Sequence, residues 1–398
     1  MVAILEGMRV VEISAFVAVP LAGLTLAQMG AEVIRVDPVG GGIDYRRWPL
    51  TADGVSLYWN GLNKGKRSVA LDLRSEHGRD LVRRLIAAPD PEGGILITNL
   101  APRWLDLDDL MAERADLIVV TLTGNPDGSA AVDYTVNASV GYPLVTGDGS
   151  APVNHVLPAW DVIAGNQVAL AVLAADRHRR RTGEGQVVRL ALSDVAMATV
   201  GHLGHLAEVE VSGEDRSAHG NFLFGSFGKD FETADGRRVM VIALTPRQWR
   251  ALVDATDTGE AMALLEATHS VDLEDEGSRF VIRHSIEAAL KPWFATRTLQ
   301  GIGITLDTHG VLWEPYRTFR QLLADDRRAS TENPMFGVID QSGVGRHLAP
   351  GSPLIFSAAS RLPPEPAPSL GEHTDEVLSG LLDPDGEDLA NLRANGII

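Results

Sequence analysis

The first 37 residues restrict the fold more than any other part of the chain. MRVVEIS (8–14) is a short β-branched run ending in polar residues. PLAGLTLAQMG (20–30) carries apolar residues at helical spacing and ends on Gly30, and AEVIRVD (31–37) is strand-like again. A strand, a helix and a strand within roughly 30 residues form a βαβ unit, which requires a parallel sheet with a right-handed crossover.

The pattern continues. SVALDL (68–73), GILITN (94–99) and DLIVVTLTG (116–124) read as further strands, with a helix over 76–87. The expectation is an α/β fold with a doubly wound large domain. The loop after the first strand reads SAFVAVP, not G-x-G-x-x-G, which argues against a nicotinamide or flavin dinucleotide enzyme. Residues 162–181 begin as a buried helix and end in a basic turn that TGEG stops, and QVVRLALSDV then gives a strand entering another helix. Residues 211–232 are rich in glycine and aromatics and read as a loop, RRVMVIAL as a strand, and 246–325 as short charged helices. MFGVID and SPLIFS read as late strands, and a proline-rich connector leads to a last helix. The expected domains are therefore 1–224, a smaller one at 225–325, and a C-terminal part at 326–398.

With 398 residues the chain is long for one core. A net charge of −18 disfavours nucleic acid and anionic membrane as partners, because both need a basic face. It leaves room for a small anion held by a local basic cluster. The absence of cysteine removes disulfides, thiolate metal sites and cysteine nucleophiles. No apolar run approaches the ~20 residues that span a bilayer, and MVAILEGMRVVEIS lacks a signal-peptide pattern. A cytoplasmic protein is expected.

HVLPAWD (155–161) brings Asp161 to the start of the long helix. Capping is the commonest task for an aspartate there. A nucleophilic carboxylate is compatible with that place, because a helix N-terminus keeps the group ionised. In NKGKRS (63–68), Lys64, Lys66 and Arg67 surround Gly65, and Lys64 and Lys66 are two of only four lysines among 35 cationic residues. Together with Arg46 and Arg47 in DYRRW they are candidates for holding phosphates or carboxylates, or for solvated turns. NFLFGSFGKDF (221–231) offers a lid with glycines at 225 and 228, or a linker with aromatic anchors. His202 and His205 lack a third ligand, so no metal site is expected. His155 is a candidate local acid or hydrogen-bond donor. No G-x-S-x-G supports a serine hydrolase.

LEGMRVVEIS, LAQMGAEVIRVD, NKGKRSVALDL, TGEGQVVRLALSDV, PGSPLIF and LGEHTDEVL, taken in order, resemble the class III CoA-transferase family across nearly the whole chain. SAFVAVPLAG, GGGIDYRRWP, VNHVLPAWD and GNFLFGSFGKDFETADG resemble the branch that carries CoA from the C1 to the C4 carboxyl of mesaconate. The resemblance implies two subunits interlocked as rings, each with a Rossmann-like domain built from both chain ends and a smaller α+β domain. It implies Asp161 as nucleophile. It also implies CoA contacts at Phe16, Val17, Ala18, Lys66, Arg67, Asn99 and Arg103, and a loop over the site at Gly225, Ser226, Phe227 and Gly228. Apart from the resemblance, Arg46, Arg47 and His155 are the candidates in the sequence for holding a second carboxylate. No prosthetic group is implied; coenzyme A enters as part of the substrate.

The implied reaction converts mesaconyl-C1-CoA to mesaconyl-C4-CoA through an aspartyl anhydride and an aspartyl-CoA thioester. The alternatives are an intermolecular transferase that uses succinyl-CoA, and an acyl-CoA racemase. The racemases carry a histidine where this chain has Val132, which disfavours the second.

Overall fold

The computed structural model describes residues 3–100, 102–381 and 389–398. Two compact units are present: Met1–Val140, His155–Val211 and Arg327–Ile398 make the larger, and Gly141–Asn154 with Ser212–Asp326 the smaller. The smaller unit thus begins before the expected Gly225 and takes in a segment between the fifth strand and the long helix.

The larger unit holds a six-stranded sheet of β1 (Arg9–Ile13), β2 (Glu32–Pro38), β3 (Arg67–Leu71), β4 (Ile95–Thr98), β5 (Ile118–Thr123) and β6 (Gln186–Ala191). Its order is β3-β2-β1-β4-β5-β6, and all neighbours run parallel. The β-branched strands are buried on both faces, as a sheet covered by helices requires. Val11, Ile34, Leu96 and Val119 share a core with Leu81 and Leu85 of helix Glu76–Ala87. Leu378 and Leu392 from the C-terminus join the same core. The C-terminal segment also seals the sheet edge at β3: the N–H of Ala70 donates to Thr374 Oγ1 (3.0 Å), and that of His373 to Ser68 O (2.9 Å).

The long helix Ala159–Thr182 ends as expected, with Gly183 left-handed at φ +78° and its N–H donated to Arg179 O (2.8 Å). It packs against helix Ala18–Ala27 so closely at Gly165 that a Cβ there would lie 2.5 Å from Ala18 O.

The smaller unit has the antiparallel sheet of β7 (Phe227–Glu232), β8 (Arg238–Ala243) and β9 (Leu312–Pro315), packed by short helices. The segment expected to be a loop through residue 232 is therefore a strand in its last part. Phe227 and Phe231 alternate onto the core beside Trp249 and Phe294, and that burial outweighs the flanking glycines.

The larger unit also carries the hairpin β10 (Phe336–Gln341) and β11 (Gly345–Pro350). SPLIFS, expected as a strand, is irregular: Pro353 offers no N–H, and Ile355 is 82% exposed with no partner strand among the described residues.

Candidate active site

In this strand order the connections diverge between β1 and β4, and a crevice forms there at the carboxyl edge of the sheet. Ala15 follows β1 and Asn99 follows β4. Asn99 Oδ1 accepts the N–H of Ala15 at 2.9 Å, while its Nδ2 donates to Ala15 O at 2.8 Å. The side-chain amide thereby acts as an added strand residue across the crevice floor.

Phe16 comes next, with φ +66°, a region that disfavours a bulky residue. Its N–H donates to Asp44 Oδ2 at 3.0 Å, and buried Asp44 is itself paired with Arg35 at 3.2 Å. That network turns the Phe16 ring toward the crevice.

A cleft of about 690 Å³ occupies this edge, lined by Phe16, Val17, Asn99, the 128–134 loop, Pro158 and Asp161. Asp161 lies in the first turn of the long helix, facing this cleft.

The expectation that Asp161 caps this helix is corrected. Pro158 stands at the N-cap position, and the capping acceptor is remote in sequence. Asp133 Oδ2 takes the N–H groups of Trp160 (2.8 Å) and Asp161 (3.1 Å). Burial, with the negative charge of Asp133 added, raises the Asp161 carboxyl to about 6, and only Arg47 opposes them.

The other expected residues divide. Phe16, Val17 and Asn99 line the cleft, whereas Ala18 is buried as the first residue of its helix. Arg103 is exposed on an adjoining groove of about 270 Å³ that shares Asn99, Leu100, Leu122 and Thr123 with the cleft.

Lys66 is corrected. It is 3% exposed, with Nζ among Glu12 Oε2 (2.8 Å), Pro20 O (2.8 Å) and Asn63 Oδ1 (2.9 Å). Arg67 is held by Glu32 and by Glu376 (2.9 Å). The physical reason is register. NKGKRS precedes β3, and Arg67 pairs with Ile34 near the start of β2, so the chain enters at the amino edge of the sheet and the Lys66 side chain runs inward to Glu12 rather than into the cleft.

His155 does not line the cleft; its Nε2 lies 2.7 Å from Asp133 Oδ1. Arg46 faces a different cleft of about 540 Å³ with Tyr45, Trp59 and Gln341, while Arg47 faces Asp161's.

The lid expectation is corrected for three residues. Phe227 and Gly228 are paired in β7, and Ser226 is buried with its hydroxyl donated to Ala243 O (3.2 Å). Gly225 alone keeps a turn conformation, at φ +75°.

Asp133, Asp44, Tyr58 and Gly165 shape the site and were missed in the sequence. The one available signal was an aspartate opening the helix Asp133–Ser139, which reads equally well as local structure.

The family model CoA-transferase family III matches residues 5–374. The chain is 53% identical, over 99% of its own length and 98% of the relative's, to 2-methylfumaryl-CoA isomerase of Chloroflexus aurantiacus. It is 28% identical to succinyl-CoA–D-citramalate CoA-transferase of the same organism, over 99% and 98% of the two chains. The crystal structure of a CAIB/BAIF family protein from Brucella suis superposes with a TM-score of 0.80 at 25% identity, covering 96% of this chain and all of that one.

Proposed function

The chain belongs to CoA-transferase family III, and from that premise we propose that it moves CoA within one molecule, from the C1 to the C4 carboxyl of a 2-methylfumaryl (mesaconyl) group. The observation that carries the reading is Asp161: a cleft-facing carboxylate, raised to about 6, at the carboxyl edge of the sheet. It is mostly ionised at neutral pH, yet more basic than an ordinary aspartate and hence a better nucleophile. The resemblance to the isomerase supports the acyl group.

A carboxylate oxygen of Asp161 attacks the C1 thioester carbonyl. The C–S bond breaks, CoA leaves as thiolate, and a mixed anhydride remains. The thiolate then attacks the Asp161 carbonyl of that anhydride, giving an aspartyl-CoA thioester and the free diacid. The C4 carboxylate next attacks the aspartyl thioester, releasing thiolate and forming the second anhydride. The thiolate attacks its C4 carbonyl, which yields the C4 thioester and restores Asp161. No proton or water is consumed, and each step exchanges one acyl bond for another. Holding the diacid throughout makes the return attack unimolecular, and a dry cleft protects the anhydride from hydrolysis. Phe16, Val17, Asn99 and Arg103 are the residues we assign to CoA.

Among the described residues no histidine lines the cleft beside Asp161; Val132 stands there, which leaves a racemase without its second base. We further assign the chain to an interlocked homodimer in the cytoplasm. Exposed Leu203, Leu206 and Val211 offer a partner apolar surface, and no helix of the described residues is long and apolar enough to cross a membrane.

The deciding experiment mixes the enzyme with mesaconyl-C1-CoA and labelled free mesaconate, and follows the products by mass spectrometry. Formation of unlabelled C4 isomer is expected. Label incorporated at each turnover would make the enzyme an intermolecular transferase, and α-carbon deuterium exchange would make it a racemase. Light scattering in solution reads the dimer.

A further inference from the structure

From the lining of the Asp161 cleft we infer that Arg47 receives the free carboxylate of the substrate and so selects dicarboxylic over monocarboxylic acyl-CoA. This rests on the intramolecular reading above, since a substrate of that kind always carries one free carboxylate.

Among the described residues, Arg47 is the single cationic side chain lining the Asp161 cleft. It is exposed, and no carboxylate of the described residues pairs with it, whereas Arg35, Arg67, Arg114 and Arg179 all have such partners. Its guanidinium carbon lies 5.4 Å from the Phe16 ring centre and 5.3 Å from that of Tyr58. The guanidinium lies over two rings and shares a side-chain hydrogen bond with Tyr58, and its remaining N–H donors are left for a planar anion, which a carboxylate fits with two parallel hydrogen bonds.

The frame around it is rigid. Ser56 caps helix Leu57–Asn63 by accepting the N–H of Trp59 at 3.0 Å, and its hydroxyl donates to Arg47 O at 2.5 Å. The backbone of Arg47 is thereby tied to the helix that carries Tyr58. Phe16 is held from the other side by Asp44. The charge of Arg47 also reaches Asp161, so cation and nucleophile act in one space. The other two candidates do not: Arg46 lines a separate cleft, and His155 is engaged by Asp133.

The function assigned is anchoring. While CoA resides on Asp161, the diacid is bound only by noncovalent contacts, and an ion pair at one end keeps it from leaving. Loss of that anchor lowers the preference for diacids and lets free acid exchange with solvent.

The test compares acylation of Asp161 by 2-methylfumaryl-CoA with acylation by the matching monocarboxylic enoyl-CoA, in which a methyl group replaces the far carboxylate. Release of CoA thiol and hydroxylamine trapping of the anhydride read each rate. Arg47→Gln should lower the diacid-to-monoacid ratio by about 100-fold, as loss of a charged bidentate contact does. It should also raise incorporation of labelled free diacid. Arg47→Lys should fall between, because it keeps the charge without the fork. Arg46→Gln removes the same charge from the neighbouring cleft and serves as the comparison.

A ratio for Arg47→Gln within twofold of the wild type overturns the assignment, whether both rates hold or both fall. The intramolecular reading fails separately, if the wild type makes no C4 isomer. The acylation ratio does not depend on where CoA ends, so the two failures are told apart.

Discussion

Asp133 accepts the backbone N–H of Asp161 at 3.1 Å while its own negative charge raises the Asp161 carboxyl. One carboxylate therefore orients the other through the main chain and makes it more basic through space. The arrangement separates position from reactivity, and each can be perturbed alone.

Asp133→Asn keeps an oxygen for the two N–H groups and removes the charge. The Asp161 carboxyl should then titrate lower, and the pH–rate midpoint should fall from near 6 by roughly half a unit to one unit. Asp133→Ala removes the oxygen as well and should cost about 2 kcal/mol of stability. A pH–rate series and urea unfolding of both variants measure the two effects; an unchanged midpoint in the Asn variant would sink the electrostatic half.

Asp161→Asn should reduce transfer by more than about 1,000-fold. Its stability effect has the opposite sign. The carboxyl titrates near 6 in the fold against an ordinary value of 3.8, so the native state binds more protons between those limits. Its contribution is favourable below pH 3.8 and is lost as pH rises through 6. The Asn variant should therefore gain on the order of 1 kcal/mol over wild type at pH 7.5, after allowance for partial solvent screening. The gain should vanish near pH 4. Thermal melts at the two pH values decide it.

Lys66→Gln should act on folding before binding. Removing the ammonium leaves Glu12 buried at 0% exposure beside Asp37 and Asp44, with only Arg35 as counter-charge. Breaking such a pair from one side costs about 3–5 kcal/mol. A drop in the urea midpoint is expected, and an unchanged midpoint with weakened CoA binding would restore the phosphate role.

Gly165→Ala should push helix Ala18–Ala27 away from the long helix, because the new methyl meets Ala18 O at 2.5 Å. Overpacking of this kind costs about 1–3 kcal/mol. The same shift moves the Phe16–Val17 segment relative to Asp161, so kcat should fall more than the melting temperature alone suggests. Steady-state kinetics well below the melting transition separates the two.

The alternating strands and helices of the larger unit were legible because local hydrophobic period decides them; the helix expected at 76–87 is Glu76–Ala87. Asp161 was legible as a residue at a helix start but not as a residue whose cap lies 28 positions upstream in Asp133. That pairing is tertiary and leaves no spacing in the chain. The basic character of Lys66 pointed to the surface by composition, while register turned it inward. SPLIFS had strand composition and no neighbouring strand to bond with, and the loop before β7 hid a strand whose alternation was only two phenylalanines long. Each failure lies where a partner distant in sequence decides the local state.

The strand order β3-β2-β1-β4-β5-β6 has a further consequence. Arg47 is delivered from the segment after β2, and Asp161 from the segment after β5, on opposite sides of the point where the winding reverses. The cleft is thus assembled from two separately encoded walls, one reactive and one selective. Exchange of residues 44–59 between relatives could retune which acid is accepted without disturbing the helix that performs the transfer.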